Sequence, residues 1–323
     1  MADDSAVDAL LSAHALGATV YDTSDTSGLG HSQRLLGRML AQVPRESVRI
    51  TCTVGAFKGT GLNAYSSLTL HGQVEQSLEN LGVNCLDVLT LHHTDFGPRD
   101  RYLEEALETL QALREMGSIK AIGLRGPNRL VVDPATARGV GDRESAARFA
   151  YLFQQLRPDV ICTPFNALIP PPAPETGDGE DDEDIFSFAR RHRVTTMLYK
   201  PLAQGLLTGA YAPGTVFGPG DVRSGITAPV LEAVQQGLQP LRDRFGSAPR
   251  DLVRVALRYC LKRCPDSIVL TGFTSSQQVT SNYEGLSSEL SDEDDDFADS
   301  AYGALRRALE VLGRLRSRGA AVT

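Results

Sequence analysis

Short apolar, β-branched runs alternate with segments of helical period along nearly the whole chain, and that alternation constrains its fold more than any other feature. Runs at 18–23, 48–54, 86–91, 119–124, 159–165, 194–199 and 267–270 read as strands bounded by polar or glycine-bearing turns. Helical patterns occupy 4–16, 32–42, 69–81, 98–116, 143–156, 185–192, 228–245 and 250–263. A further helix starts at Ser276, and a last one runs from about 292 to 317. Asp4 and Ser5 are placed to cap the first helix and Gly17 to stop it. Strands that alternate with helices imply parallel βα units. Seven strands are one short of a closed (β/α)8 barrel. The sequence therefore predicts a TIM-type α/β barrel lacking its first strand, with a gap beside strand 18–23 or an upstream segment missing from the chain.

With 323 residues and 41% hydrophobic content, the chain can form one barrel domain with a sizeable core. The net charge of −8 and the absence of a basic stripe argue against nucleic acid as a partner. No apolar run reaches the roughly 18 residues of a membrane span. The N-terminus is acidic and then helical, unlike a signal peptide. Five cysteines, an odd number, suggest a reduced, cytoplasmic protein. Cys260 and Cys264 lie four apart on a helix, but no His or Cys pair completes a metal site, so no metal is expected. Prolines at 170–172 and 174 lead into an acidic run, predicted to be a mobile surface insertion near 170–184.

Barrels place their chemistry at the C-terminal ends of strands. The first strand runs into a polar turn carrying Asp22, Asp25 and Ser27 before Gly28 and Gly30. Asp22 is a candidate acid–base group, with a loop or helix-capping carboxylate as the plainer reading. Asp25 could be a second such group or a turn cap. His92 ends the third strand, and His93 should point the other way in an extended segment. Arg125, at the end of the fourth strand, could bind a substrate carboxylate or enolate. Lys58 and Tyr65 lie in the loop after the second strand; they could supply further groups, though an ordinary surface role is simpler.

The segment from Asp22 to Gly37 resembles the aldo-keto reductase family's Asp-Thr-x-x-x-x-Gly-x-Gly-x-Ser followed by Leu-Leu-Gly. Leu86 to Asp95 is similar to its Asp-Leu-Tyr-Leu-Leu-His-x-x-Asp, and Tyr199 to Gly209 to its Tyr-Ser-Pro-Leu-Ala-x-Gly-Leu-Leu-Thr-Gly. Thr271 to Asn282 resembles the segment that holds the cofactor's adenosine phosphate. The resemblance covers residues 5 to about 295 and implies a TIM barrel that reduces carbonyls with NADPH through Asp, Tyr, Lys and His. Carried over, the Asp is Asp22 and the His is His92. The Tyr position holds Ser27, and the Lys position holds Thr53. The positions that grip the carboxamide hold Arg125 and Gly126, with Cys162 where a glutamine is expected. The family pattern assigns cofactor contacts to Asn166, Tyr199, Lys200, Leu202, Gly205, Gly272, Thr274, Ser275, Gln278 and Asn282. Thr274 stands where a basic residue would meet the 2′-phosphate, and a neutral Thr makes no charge-assisted bond to phosphate. NADP(H) binding is expected to be weakened or lost.

Three functions follow. In the first, Asp22 and His92, with Asp25, perform dehydration, isomerisation or cyclisation of a small carbonyl compound, and Arg125 or Lys200 steadies negative charge. In the second, the chain is an NAD(P)H-dependent oxidoreductase with substituted catalytic residues. In the third, it binds a cofactor or a protein partner without catalysis, the partner adding a strand at the gap.

Overall fold

The computed structural model describes residues 2–58, 61–127, 132, 140–170, 184–286 and 289–319. The expected acidic insertion therefore lies almost wholly outside the described residues. The elements run α1 (Asp3–Ala15), β1 (Val20–Ser24), α2 (His31–Leu40), β2 (Arg49–Val54), α3 (Ser67–Leu81), β3 (Leu86–Leu91), α4 (Leu103–Glu115), β4 (Ile119–Arg125), α5 (Val140–Leu156) and β5 (Val160–Pro164). They continue with α6 (Ile185–His192), β6 (Thr195–Tyr199), α7 (Ala228–Gly237), α8 (Gln239–Phe245), α9 (Pro249–Arg263), β7 (Ser267–Val269), α10 (Ser276–Glu284) and α11 (Asp292–Gly319). The seven strands follow one another in sequence order in one parallel sheet, as in a (β/α)8 barrel lacking its first strand.

Three expectations are corrected. The first helix begins at Asp3 with no side-chain cap, so Asp4 and Ser5 lie inside it rather than before it. The helix expected over 228–245 is two, because Pro240 at the start of α8 has no N–H to continue α7. The helix expected from 98 begins as a short 3-10 turn, Pro98–Asp100, with Arg99 at φ 56°.

The chain forms two compact units. The first comprises residues 1–163, 173–197 and 273–280. Within it, pleating sorts the side chains. On β1 the Tyr21 hydroxyl donates to the Leu10 carbonyl in α1 (3.2 Å), and Thr23 Oγ1 donates to Ser32 Oγ in α2 (3.3 Å). Asp22 and Ser24 therefore occupy the opposite, inner face. On β2 Cys52 accepts from Gln33 Nε2 in α2 (3.3 Å), so Thr51 and Thr53 share that inner face. The register aligns Asp22 with Thr51 and Val88, and Ser24 with Thr53 and Thr90. Gly123 pairs with Thr90, and a Cβ there would lie 2.3 Å from Thr90 Oγ1, so only glycine fits.

The second unit comprises residues 164–172, 198–272 and 281–323. Its core is built around Tyr259 and Tyr302, whose rings meet edge to face at 5.3 Å. Acidic residues fill the first turn of α11, where the helix dipole favours them. Asp295, almost fully buried there, accepts from Arg263 of α9 at 2.7 Å.

Candidate active site

Four consecutive strand ends of the first unit bring the site together. Asp22 comes from β1, Thr51 and Thr53 from β2, His92 from just beyond β3, and Arg125 from the end of β4. His92 is fixed by its own N–H, which donates to the Val54 carbonyl at 2.8 Å.

Among the described residues no lysine is paired with Asp22. Its partner is Thr51, whose hydroxyl donates to Asp22 Oδ1. Asp22 is exposed to solvent on its open side, and the protein atoms packed around the rest of it desolvate its carboxyl. That desolvation pushes its pKa up to about 6, against the opposing pull of the Thr51 hydroxyl and the Arg125 charge. A hydroxyl stabilises a carboxylate less than an ammonium would. The result is a carboxyl that titrates near neutrality.

His92 is driven the other way. Burial, then the charge of Arg125 and the neighbouring His93, lower its pKa and favour the neutral ring. Its Nδ1 is buried without a hydrogen-bond partner among the described residues. His93 turns away and lies against Tyr65, with ring centroids 4.7 Å apart.

The remaining candidates divide. Thr53 is buried on the inner face, whereas Ser27 is exposed and shares a 2.8 Å hydrogen bond with Ser24. Asp25 takes the Gly55 N–H on Oδ2 at 3.3 Å, and burial raises its pKa despite that bond. The surface role expected for Tyr65 is overturned. Tyr65 is fully buried, and its hydroxyl donates to the His93 carbonyl (3.0 Å) and accepts from the His93 N–H (2.9 Å). Burial holds its phenol well above the ordinary tyrosine range, so it cannot replace an activated tyrosine at Ser27. Cys162 lies 3.6 Å from Thr90 Oγ1, and burial pushes its thiol up to about 12. It is a packing group at neutral pH, not a nucleophile.

Sequence reasoning missed Thr51. Its signal was present: Thr51 and Thr53 are two apart on one strand, hence on one face, and one of them had to lie opposite Asp22.

Several residues assigned to the cofactor are already engaged. Asn166 donates to the Lys200 carbonyl (3.0 Å) and accepts from the Leu168 N–H (2.9 Å), so both ends of its amide are in use. The Lys200 ammonium sits over the Tyr199 ring, 5.7 Å from its centroid. Leu202 is half-buried. Gly205, at φ +91°, is required because a Cβ there would lie 2.4 Å from the Tyr211 hydroxyl. A Cβ at Gly272 would meet nothing within 4 Å. Thr274 donates its N–H (2.7 Å) and its hydroxyl (3.2 Å) to Gln278 Oε1, and Ser275 Oγ accepts from the Gln278 N–H (3.2 Å). Asn282 is buried. Residues 271–282 contain no Lys or Arg, so this stretch does not fit a 2′-phosphate. Among the described residues no group of three His, Cys, Asp or Glu side chains could hold a metal ion. Likewise no described helix is long and apolar enough to cross a membrane.

A cavity of about 850 Å³ lies at the other, N-terminal ends of these strands, lined by Arg45, Asp87 and Lys120 among others. It is remote from the strand-end carboxylate and histidine.

This arrangement has relatives. The chain is 27% identical over 307 residues to the NADH-specific methylglyoxal reductase of Escherichia coli, covering 89% of this chain and 84% of that protein. It is 27% identical over 290 residues to the L-galactose dehydrogenase of Arabidopsis thaliana, covering 87% and 78%. The structure of the glycerol dehydrogenase from Gluconobacter oxydans superposes with a TM-score of 0.66 at 23% identity, covering 92% of this chain and 85% of that one, which supports the barrel fold. The profile described as the Aldo/keto reductase family matches residues 1–302, nearly the whole length that carries the strand-end Asp and His, and on that match the chain belongs to the aldo-keto reductase family.

Proposed function

We propose that this family member catalyses proton transfer on a small carbonyl compound, an isomerisation or dehydration that begins by removing a proton from the carbon next to the carbonyl. The observation that supports this reading is the Asp22 carboxyl, which accepts from the Thr51 hydroxyl, lies within the field of Arg125, and has its pKa pushed up to about 6 by desolvation. A base is most effective when its pKa lies near the working pH. Asp22 takes the α-proton, and the electron pair of that C–H bond moves onto the carbonyl oxygen as the enolate forms. Arg125 steadies the developing charge, and the ring N–H of neutral His92 donates to the same oxygen. Asp25 and Ser27 are not required for this step.

The test is deuterium wash-in. Simple α-hydroxy ketones are incubated in D2O with the protein and no nicotinamide, and exchange at the α-carbon is followed by NMR. Exchange that rises through a pH near 6 and falls about 10²–10⁴-fold in Asp22→Asn is the expected result. Wild-type exchange no faster than buffer overturns the proposal.

A second reading, an NAD(P)H-dependent oxidoreductase with substituted catalytic groups, draws on family membership and on Tyr199, which is retained at the end of β6. Consumption of NADH that depends on a carbonyl substrate, with no α-exchange in its absence, would favour it over the first. The third reading, a partner adding a strand beside β1, is tested by whether the protein is captured by a partner through that edge.

A further inference from the structure

The two oxygens of Asp22 are not equivalent. Oδ1 accepts from the Thr51 hydroxyl, and among the described residues no hydrogen bond reaches Oδ2. Thr51 is almost fully buried on the middle one of three paired strands, where the register sets it between Asp22 of β1 and Val88 of β3. A β-branched side chain has a stiff χ1, so the direction of its hydroxyl oxygen is fixed. An ionised carboxylate can only accept, so the Thr51 proton points at Asp22 whenever Asp22 is charged. Ser24, next along the inner face of β1, is engaged elsewhere, with Thr26 (2.9 Å) and Ser27 (2.8 Å).

A cation in place of this hydroxyl would also orient Asp22, but its charge would pull the pKa down and leave a weaker base. A neutral donor orients the carboxylate with a smaller loss of basicity. Arg125, at the end of β4, also lowers the Asp22 pKa. The thiols of Cys52 on β2 and Cys162 on β5 feel the charge of Asp22, but burial pushes both up to about 12, so neither ionises near neutrality. His92, just beyond β3, is shifted to lower pH by burial.

We propose that Thr51 is a positioning residue of this site: its hydroxyl holds Oδ1 and leaves Oδ2 as the oxygen that takes the α-proton, while the electron pair of the C–H bond goes to the carbonyl oxygen. The assignment rests on the proton transfer proposed for Asp22.

Two readouts test it. The Asp22 carboxyl is followed against pH by NMR of protein carrying isotope-labelled aspartate, its signal identified by its absence in Asp22→Asn. Thr51→Val replaces the hydroxyl with a methyl group and should move the midpoint up by about one pH unit, since it removes a hydrogen bond to a charged acceptor. Deuterium exchange into hydroxyacetone is then measured well above both midpoints, where Asp22 is ionised in either protein. A more basic carboxylate alone would raise this plateau. A plateau lower by about tenfold or more therefore reports lost orientation, and it is the expected result. Thr51→Ser restores a hydroxyl and should recover both readouts; compared with Thr51→Ala, it serves if Thr51→Val does not fold. An unchanged midpoint in the hydroxyl-free variant overturns the proposal, as does a plateau equal to or above that of wild type. Wild-type exchange no faster than buffer is a failure of the proposed reaction, and the midpoint then decides by itself whether Thr51 holds the carboxylate.

Discussion

At the scale of single residues, Asp22 trades stability for a usable pKa. Its pKa is about 4 in an unfolded chain and about 6 here. The folded state thus holds a proton more tightly, and the folded protein loses stability as pH rises from about 4 to about 6. Above that range the penalty is complete. Asp22→Asn removes the charge while keeping an acceptor for Thr51, so it should raise the thermal midpoint at pH 7.5 and leave it nearly unchanged at pH 4. Differential scanning fluorimetry at the two pH values checks this; an equal gain at both would mean the substitution acts through packing rather than charge. Gly55 is constrained differently. It sits at φ +100°, and a Cβ there would lie 2.2 Å from the Tyr65 ring. Gly55→Ala should destabilise by about 3 kcal/mol, from backbone strain plus overpacking. Chemical denaturation measures the loss, and because Tyr65 holds both the N–H and the carbonyl of His93, activity should suffer with it.

At the scale of elements, the carboxylate at the start of β3 ties three strands together. Asp87 accepts from the Ile50 N–H of β2, from Lys120 of β4 and from Arg45, each at 2.8 Å. Burial alone would raise its pKa, but these bonds outweigh it and hold the carboxyl below the usual range. The sign is opposite to that of Asp22: the stabilisation is fully present above about pH 4 and is lost as pH falls through the lowered folded value. Lys120 and Arg45 keep solvent contact, so the loss on Asp87→Ala should be about 2 kcal/mol, less than for a fully buried pair. Urea titration at pH 7 and pH 3 checks it, with the difference between wild type and variant shrinking at pH 3. Elements of this kind were readable in the sequence to within a few residues, because period and turn chemistry are local. The strand 86–91 and the helix 185–192 coincide with β3 and α6. What could not be read is non-local. That Thr51 rather than Thr53 meets Asp22 depends on the register between β1 and β2. That Tyr65 is buried depends on how its loop folds back over His93. Asp22, His92 and Arg125 were legible because strand ends in this architecture converge.

At the scale of the whole chain, charge governs which nicotinamide cofactor would be preferred. The protein carries a net charge of −8, and residues 271–282 offer no Lys or Arg to the additional 2′-phosphate of NADPH. An unpaired phosphate near such a protein gains nothing from a charge-assisted bond and meets a repulsive field. Should the chain take a nicotinamide cofactor, NADH is expected to bind at least as tightly as NADPH. Calorimetric titration with both measures the ratio of their Kd values. The salt dependence separates the two causes. Repulsion from the net charge is screened once the Debye length falls from about 30 Å at 0.01 M to about 8 Å at 0.15 M, so that part of the disadvantage of NADPH should fade with added salt. A missing local partner is not restored by salt, and the residual preference for NADH should persist. Preference for NADPH by tenfold or more, lost as salt is raised, would instead place a cationic partner for the phosphate elsewhere in the chain and restore the reductase reading with the phosphate held outside 271–282.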